Sequence, residues 1–534
     1  MKHKALIMAL SFLSTSLFAD SNAQLQQEIN RLQTQTKQLQ MALGRLQNQL
    51  VKQSNPPQHA PKEPGKVDNT PQILPVKKRV KHKPPLKEKG KIFHTSPLMV
   101  HSVEKDSEPM DFYPTALIAD GRVLTYIAGT PIVTSPYLGA MPAFDGSDYI
   151  VNISSINRDL RLMEQRRRLY RAYRQIGYPA PNLPIIALSG KVQPVAMANR
   201  TYLGRTAGDL NLGSSELAVA AALNDKVEAY ISLAYDESPP PVGPRVTNSN
   251  FSLNNGFVNI GNLDQSPLYF TAGQMYVPFG RYSSSMISST LPLRLARTKS
   301  RPFILGYKSQ GASGPYAAVY GFTSDTGLGH SGIGGLNLGY TLRIADIFGD
   351  IGVGYISSIT DSTGMQDTGS MPFTTFGGFS SPTNGTELIH KIPGVDVHAN
   401  LSFDRYSLTA EWVGAGKAFR VQDLSFNGRG AKPQAAQIEA GVTFMAFNKP
   451  ASLGLGYQWS KETLALHLPH HRASAVFNIS LWKDTIESLE YRHDVDFSTI
   501  SYANGANSPD LINLNTIGTG KAADALIAQI GVFF

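Results

Sequence analysis

The amino-acid sequence predicts an all-β transmembrane barrel of about sixteen antiparallel strands, preceded by an N-terminal coiled coil, a disordered linker and a small plug or periplasmic segment. Three observations carry that prediction. The stretch Ala525–Phe534 alternates with a period of two: Leu526, Ala528, Ile530, Val532 and Phe534 share one face, and Ile527, Gln529, Gly531 and Phe533 the other. An apolar row backed by a mixed row is what a strand between lipid and a wet lumen requires. The same pattern recurs through the preceding three hundred residues, and the connections between the repeats alternate in length.

In chain order, residues 1–23 read as a secretory signal. Lys2 and Lys4 precede an apolar run from Ala5 to Phe18 that is too short for a mature spanning helix. Cleavage fits after Ala19 or, with the small pair Ser21 and Ala23, after Ala23. Residues 24–50 carry heptads. Leu25, Leu32, Leu39 and Leu46 repeat every seven residues, with Ile29, Thr36, Leu43 and Leu50 four residues after each. This predicts a short coiled coil and, because one such helix is marginal alone, self-association through residues 25–50. Residues 51–110 are rich in Pro and Lys and predict an extended, disordered spacer.

The formal charge is +9, but residues 1–91 contribute +11 and leave −2 for residues 92–534. The excess sits in one linker with no interleaved aromatics, so a nucleic-acid partner is not expected. No cysteine is present, which excludes a disulfide or thiolate site. Mean hydropathy is only −0.17, as a barrel requires when half of each strand faces water.

The segment 111–184 has globular composition without strand repeats. It holds the turn-rich Gly129–Gly139 stretch and a helix predicted from Asn157 to Gly177, with Asn157 as its cap and Gly177 and Pro179 as its stop. Seven arginines lie on that helix, among them Arg161, Arg168 and Arg171. Two roles fit: a plug or pore-mouth element offering guanidinium groups to an anionic solute, or a solvated periplasmic helix.

From residue 185 to 534 sixteen strands are predicted: 185–197, 209–223, 227–236, 251–262, 268–277, 291–306, 316–322, 333–342, 350–359, 395–403, 406–416, 434–446, 451–460, 472–482, 484–495 and 525–534. The second, tenth, twelfth and fourteenth connections are short; the third, ninth and fifteenth are long. Short periplasmic turns and long outer loops in an even-stranded barrel impose that parity and put both strand termini at the periplasmic side. The expected location is the bacterial outer membrane, in contact with its lipid, with the N-terminal extension in the periplasm.

Enzyme signatures are lacking: there is no Gly-x-Ser-x-Gly, no His-Glu-x-x-His and no phosphate-binding glycine loop. Neither catalysis nor a cofactor is expected. His467, His470 and His471 cluster in one loop and read as solvated, although their spacing suits a metal. His493 shares parity with Tyr491, towards lipid. Selectivity is expected from lumen-facing charge: Glu490, Arg492 and Asp494 share the parity opposite Leu489 and Tyr491, Glu411 and Lys191 are inward candidates, and Arg294 and Arg297 lie on opposite faces of the 291–306 stretch, where a bulge is expected.

The layout also resembles a known family. Gly129-Thr-Pro-Ile-Val-Thr-Ser-Pro-Tyr-Leu-Gly139, Ala143-Phe-Asp-Gly-Ser-Asp-Tyr-Ile-Val-Asn152, Asp159-Leu-Arg-Leu162, Leu188-Ser-Gly-Lys-Val192, Ser232-Leu-Ala-Tyr-Asp236 and Tyr276-Val-Pro-Phe-Gly280 look like segments of the siderophore porin family, legiobactin-receptor-like outer-membrane β-barrels. The resemblance covers residues 110–534 and implies import of a ferric siderophore; it carries over no binding residue. Read from the residues alone, other small polar solutes, a general or anion-selective porin, and a tether joining outer membrane to cell wall all fit.

Overall fold

The computed structural model describes residues 123–127, 130–134, 156–175, 183–235, 251–311, 313–324, 332–344, 347–365, 391–403, 405–421, 423–482, 485–503 and 517–533. The expected signal (1–23), coiled coil (24–50) and linker (51–110) lie outside the described residues.

A short hairpin, β1 (Val123–Ile127) and β2 (Thr130–Thr134), precedes helix α1 (Arg158–Gln175). The barrel wall begins with β3 (Ile185–Val192), which continues past a break at Gln193 and Pro194 as β4 (Val195–Arg200). It returns as β5 (Thr206–Asn211) and β6 (Glu216–Ala222), so each of these two segment pairs forms one wall strand. Then come β7 (Val227–Tyr235), β8 (Phe251–Gly261) and β9 (Leu268–Tyr276). Helix α2 (Leu291–Ala296) and the two-residue β10 (Lys299–Ser300) precede β11 (Phe303–Lys308). The far wall is β12 (Gly314–Thr323), β13 (Gly332–Ile344), β14 (Ile347–Ile356), β15 (Gly394–Phe403) and β16 (Tyr406–Ala415). After a small hairpin of β17 (Ser425–Phe426) and β18 (Arg429–Gly430) it closes with β19 (Gln434–Ala446), β20 (Lys449–Lys461), β21 (His471–Ile479), β22 (Thr485–Val495) and β23 (Ala522–Phe533).

Every wall strand pairs antiparallel with its chain neighbours, and β23 pairs back onto β4 (Asp524↔Arg200 to Gln529↔Val195) and the end of β3 (Val532↔Val192). The result is a closed sixteen-strand barrel. Closure removes the open edges that hydrocarbon cannot satisfy. No helix among the described residues is long and apolar enough to cross a membrane.

The connection parity holds throughout. Even-numbered links are short (223–226, 262–267, 309–313, 345–346, 404–405, 447–448, 480–484), and the long ones (236–250, 277–302, 357–393, 416–433, 496–521) are odd-numbered. Burial alternates as the sequence demands. Val319 is 62% exposed on the outer wall while its neighbour Tyr320, facing inward, is 3% exposed. Leu338, Ile351, Val397, Ile438, Leu455, Leu489, Leu526 and Ile530 continue the outer apolar band. Phe403, Tyr406, Phe447 and Trp482 ring the short-turn end, while Phe251, Phe303 and Tyr355 ring the long-loop end. A lipid-facing band between aromatic girdles is the outer signature of an outer-membrane barrel.

Three expectations are corrected. Residues 291–306 are not one strand: Thr290 caps α2 by accepting from the Leu293 N–H (3.3 Å), and Pro292 sits in the first turn, so the apolar run Leu291-Pro-Leu-Arg-Leu-Ala296 turns helical before β10 and β11 resume the wall. The segment 111–184 does contain strands, because β2 pairs parallel to β3 (Ile132↔Ile186 to Thr134↔Leu188). Strand β23 reaches only as far as Lys191, and β2 takes the edge that β3 exposes below it. Asn157 has φ 54, a left-handed residue rather than the extended backbone of a helix cap, while its carbonyl accepts the Arg161 N–H at 3.0 Å.

Candidate functional site

The lumen is narrowed by the segment between β9 and β11. It leaves the wall after Tyr276 and comes back where Lys299 pairs Tyr276 and Ser300 pairs Met275, so residues 277–298 form a loop whose two ends meet. Gly280 has φ +77, and a Cβ there would fall 2.2 Å from the Tyr282 ring, so the turn needs glycine. Phe279, Leu291, Leu295 and Ala296 are fully buried with Ile356, Ile359, Met365 and Ile392, making an apolar core inside the barrel. Each large side chain so buried contributes about 1.5–3 kcal/mol. The start of the 357–393 connection packs on α2: the Thr363 N–H donates to Arg297 O at 2.8 Å.

The same loop is held to the wall mainly through its own main chain. Glu411 on β16 accepts the Arg281 N–H (2.7 Å) and the Tyr282 N–H (2.8 Å). Glu439 on β19 accepts the Ser285 N–H and the Ser284 hydroxyl, both at 2.7 Å, and also the Ser285 hydroxyl. Glu490 on β22 accepts the Ser288 N–H (2.8 Å), the Ile287 N–H and the Ser288 hydroxyl. Between them Gln458 on β20 accepts the Leu291 N–H (2.7 Å), and Arg472 on β21 donates to Ser289 O (2.9 Å). Five neighbouring strands thus grip eight residues of the eleven-residue stretch 281–291. Each such bond contributes about 0.5–1.5 kcal/mol, and more where the acceptor is ionised.

Helix α1 is docked on the opposite wall through side chains. Arg158 Nη1 meets Glu216 Oε1 on β6 at 2.8 Å and donates to Tyr230 OH on β7. Arg166 meets Glu228 on β7 at 2.9 Å and donates to the Gly261 carbonyl (2.8 Å) at the short-turn end. Glu164 lies between Arg167 (3.8 Å) and Lys308 of β11 (3.6 Å). Asp159 accepts the Thr271 hydroxyl (2.9 Å); burial raises its carboxyl above the ordinary value, against the Leu160 N–H and that hydroxyl, which lower it. Leu160, Leu162 and Met163 bury the apolar side.

What remains open is a cavity of about 870 Å³ between loop, helix and wall. Among the described residues its lining carries Arg158, Lys191, Arg294, Arg297, Lys299, Arg472 and Arg492 against the single carboxylate Glu216. Arg297 stacks 4.5 Å above the Tyr276 ring, with Lys299 5.6 Å from the same ring. Lys299 Nζ, Asn254 and Glu216 form a chain (3.0 Å each) that ends at Arg158.

The sequence-derived candidates therefore separate. Arg294, Arg297 and Arg492 line the cavity together. Asp494 faces inward but is taken by Arg472 in a two-pronged pair (2.7 and 3.1 Å), with Arg492 at 3.2 Å. Glu411 and Glu490 also face inward, and their oxygens anchor the loop. Arg161 is buried and donates to Ile156 O, away from the cavity lining. The side chains of Arg168 and Arg171 lie outside the described residues. The 462–470 loop is not simply solvated: Leu464, Leu466 and Leu468 are buried, while His467 is exposed and His470 half-buried, and partial desolvation lowers both, the latter also through the charge of His471. His493 faces outward and pairs with Asp524 at 2.8 Å. Sequence reasoning missed Glu439, Gln458, Arg472, Glu216 and Lys299. Inward parity marks four of these; nothing local marks Lys299, because its strand was misplaced.

A closed sixteen-strand wall, apolar outside and charged within, with an inserted loop, defines an outer-membrane β-barrel of the porin type. A UPF0422 protein of Legionella pneumophila (strain Paris) is 60% identical over 536 residues, covering 100% of both chains, and one of Coxiella burnetii (strain RSA 493 / Nine Mile phase I) is 34% identical over 405 residues, 75% of this chain and 83% of that protein. The chain belongs to the UPF0422 family. No family model matches it. Among solved structures, an anion-selective porin from Comamonas acidovorans superposes with TM-score 0.41 at 11% identity, over 66% of this chain and 100% of that one. The channel DcaP of Acinetobacter baumannii gives 0.41 at 12%, over 65% and 96%. At such scores the architecture rests on this chain's own strand pairing.

Proposed function

We propose that this protein is an outer-membrane channel through which small polar solutes pass, with a preference for anions. The observation that carries the reading is the cavity lining, where among the described residues seven cationic side chains face one carboxylate. A low-dielectric passage lined by one sign of charge concentrates ions of the other sign. The inserted loop sets the width, and the docking of α1 on the opposite inner wall supports a plug role for that helix. Reversal potentials of the purified full chain in planar bilayers under a KCl gradient test the reading. An anion-selective potential supports it; a cation-selective one, or no conductance, overturns it.

A second reading, import of a ferric siderophore, is favoured by the family resemblance of the 129–162 block and by the cavity volume, which falls in the range of sites for ligands of drug size (about 300–1,000 Å³). Ferric-siderophore uptake by iron-limited cells with and without the protein decides it. Loss of uptake restored by the intact chain supports it, and unchanged uptake leaves the general anion channel.

A further inference from the structure

One cluster on the inner wall includes Glu411, an anchor of the loop, and two buried groups that the anchoring does not use. Asp396 and His398 on β15 and Glu411 on β16 are buried, and a donor atom from each lies within 4.8 Å of the others. Neighbouring strands set this up, since His398 is directly opposite Glu411 in the ladder and Asp396 is two residues before it, on the same face. His398 has a carboxylate at each ring nitrogen: Nδ1 is 2.6 Å from Asp396 Oδ1, and Nε2 is 3.5 Å from Asp350 Oδ1 and 3.3 Å from Tyr316 OH. The second oxygen of Asp396, Oδ2, has no hydrogen-bond partner among the described residues, although Asp396 is completely buried. Glu411 takes its donors from the loop N–H groups and from Gln437 Nε2 (3.1 Å), and Asp396 Oδ1 takes His398, so Asp396 Oδ2 is the oxygen of the pair left without one among the described residues. A buried carboxylate oxygen left without a donor is destabilising, and a positive species in the gap removes that cost.

We propose that Asp396, His398 and Glu411 form a binding site for one divalent transition-metal ion of the Zn²⁺ class. One imidazole and two carboxylates are a donor set such ions accept. Bonds of about 2.0–2.2 Å put donors roughly 3.3–4.4 Å apart, so the present spacing needs only small side-chain shifts. The carboxylate of Asp350 at Nε2 is the outer partner that a metal-bound imidazole commonly has; it fixes the ring with Nδ1 towards the site. Binding exchanges the Nδ1 proton for the metal. Because Glu411 also holds the Arg281 and Tyr282 N–H groups, the ion would tie β15 and β16 to the first turn of the inserted loop, and so couple metal occupancy to the width of the passage.

The test uses the full folded chain in detergent, stripped with EDTA and dialysed, then titrated with Zn²⁺ alone by calorimetry and counted by elemental analysis. One ion per chain is expected. Asp396→Asn and His398→Ala should each weaken binding about 10–100-fold, whereas Glu439→Gln, which touches the loop elsewhere, should leave it unchanged. Co²⁺ loaded into the unmutated chain gives a second readout that does not depend on variants folding: nitrogen and oxygen donors in a closed site produce a visible absorption band that Zn²⁺ displaces. Absence of a stoichiometric ion and of that band, or the same affinity in correctly folded Asp396→Asn and His398→Ala chains, overturns the proposal and leaves a proton shared by the two carboxylates.

Discussion

The two walls of the lumen hold their inserted elements by opposite means. On β6 to β11, α1 is docked by side chain against side chain, through Arg158–Glu216, Arg166–Glu228 and the Lys308–Glu164–Arg167 trio. On β16 to β22 the 277–298 loop is held through its main chain, with Glu411, Glu439 and Glu490 each accepting backbone N–H groups. A buried ion pair is costly to break, because the remaining charge stays in low dielectric, but its net gain is small once desolvation is counted. A carboxylate that accepts peptide N–H donors needs no partner side chain and suits the stretch Ser283-Ser-Ser-Met-Ile-Ser-Ser289, whose side chains carry no charge.

The strongest way to break this comparison is to remove the main-chain anchors. In Glu439→Ala with Glu490→Ala, two sets of charge-assisted hydrogen bonds are lost, about 1.5–3 kcal/mol each. The loop should swing from β19 and β22, and single-channel conductance should at least double; an unchanged conductance means that the apolar core around Leu291 and Leu295 suffices to hold it. Next in size, Glu228→Ala leaves Arg166 buried without its carboxylate, at a cost of about 3–5 kcal/mol to α1 docking. Trypsin cleavage within α1 should accelerate more than a hundredfold while the barrel stays resistant to heating in detergent. Equal cleavage rates would show that the apolar side of α1, not its ion pairs, fixes it.

Smaller still is the effect of lining charge. Arg294→Glu with Arg297→Glu should lower the anion-to-cation permeability ratio by about threefold to tenfold without loosening the loop, read from reversal potentials. The smallest effect concerns acidity at the long-loop end. Partial desolvation lowers His467, though much of its side chain is exposed, and His470 below the ordinary histidine value of 6.5, which favours the neutral form in the folded loop at pH 7. The open loop binds protons first on acidification. The stability of the closed loop is therefore full above about pH 6.5 and declines as pH falls below it. Current noise should rise below that pH and return to its neutral-pH level in His467→Gln with His470→Gln.

The wall was legible because alternation is a local signal: Val227 to Asp236 or Leu526 to Val532 declares two faces without knowledge of any partner, and connection parity adds the ordering. The inward face of Glu411 and Glu490 was legible for the same reason. Their partners were not, since a peptide N–H leaves no mark in the sequence and the contacts span between 129 and 203 residues. Residues 291–306 misled because Leu291, Leu293 and Leu295 mimic a strand's period of two, and the Thr290 cap with Pro292 outweighs that mimicry. The β2–β3 pairing was invisible because parallel partners about fifty residues apart share no turn.

Because Glu411, Glu439 and Glu490 grip peptide groups that every residue type except proline supplies, the cavity-lining side chains of Arg294 and Arg297, which make none of these anchors, can change through mutation without releasing the loop from the wall. The filter of such a passage can be rewritten by lineages facing different nutrients while the scaffold carrying it is inherited intact.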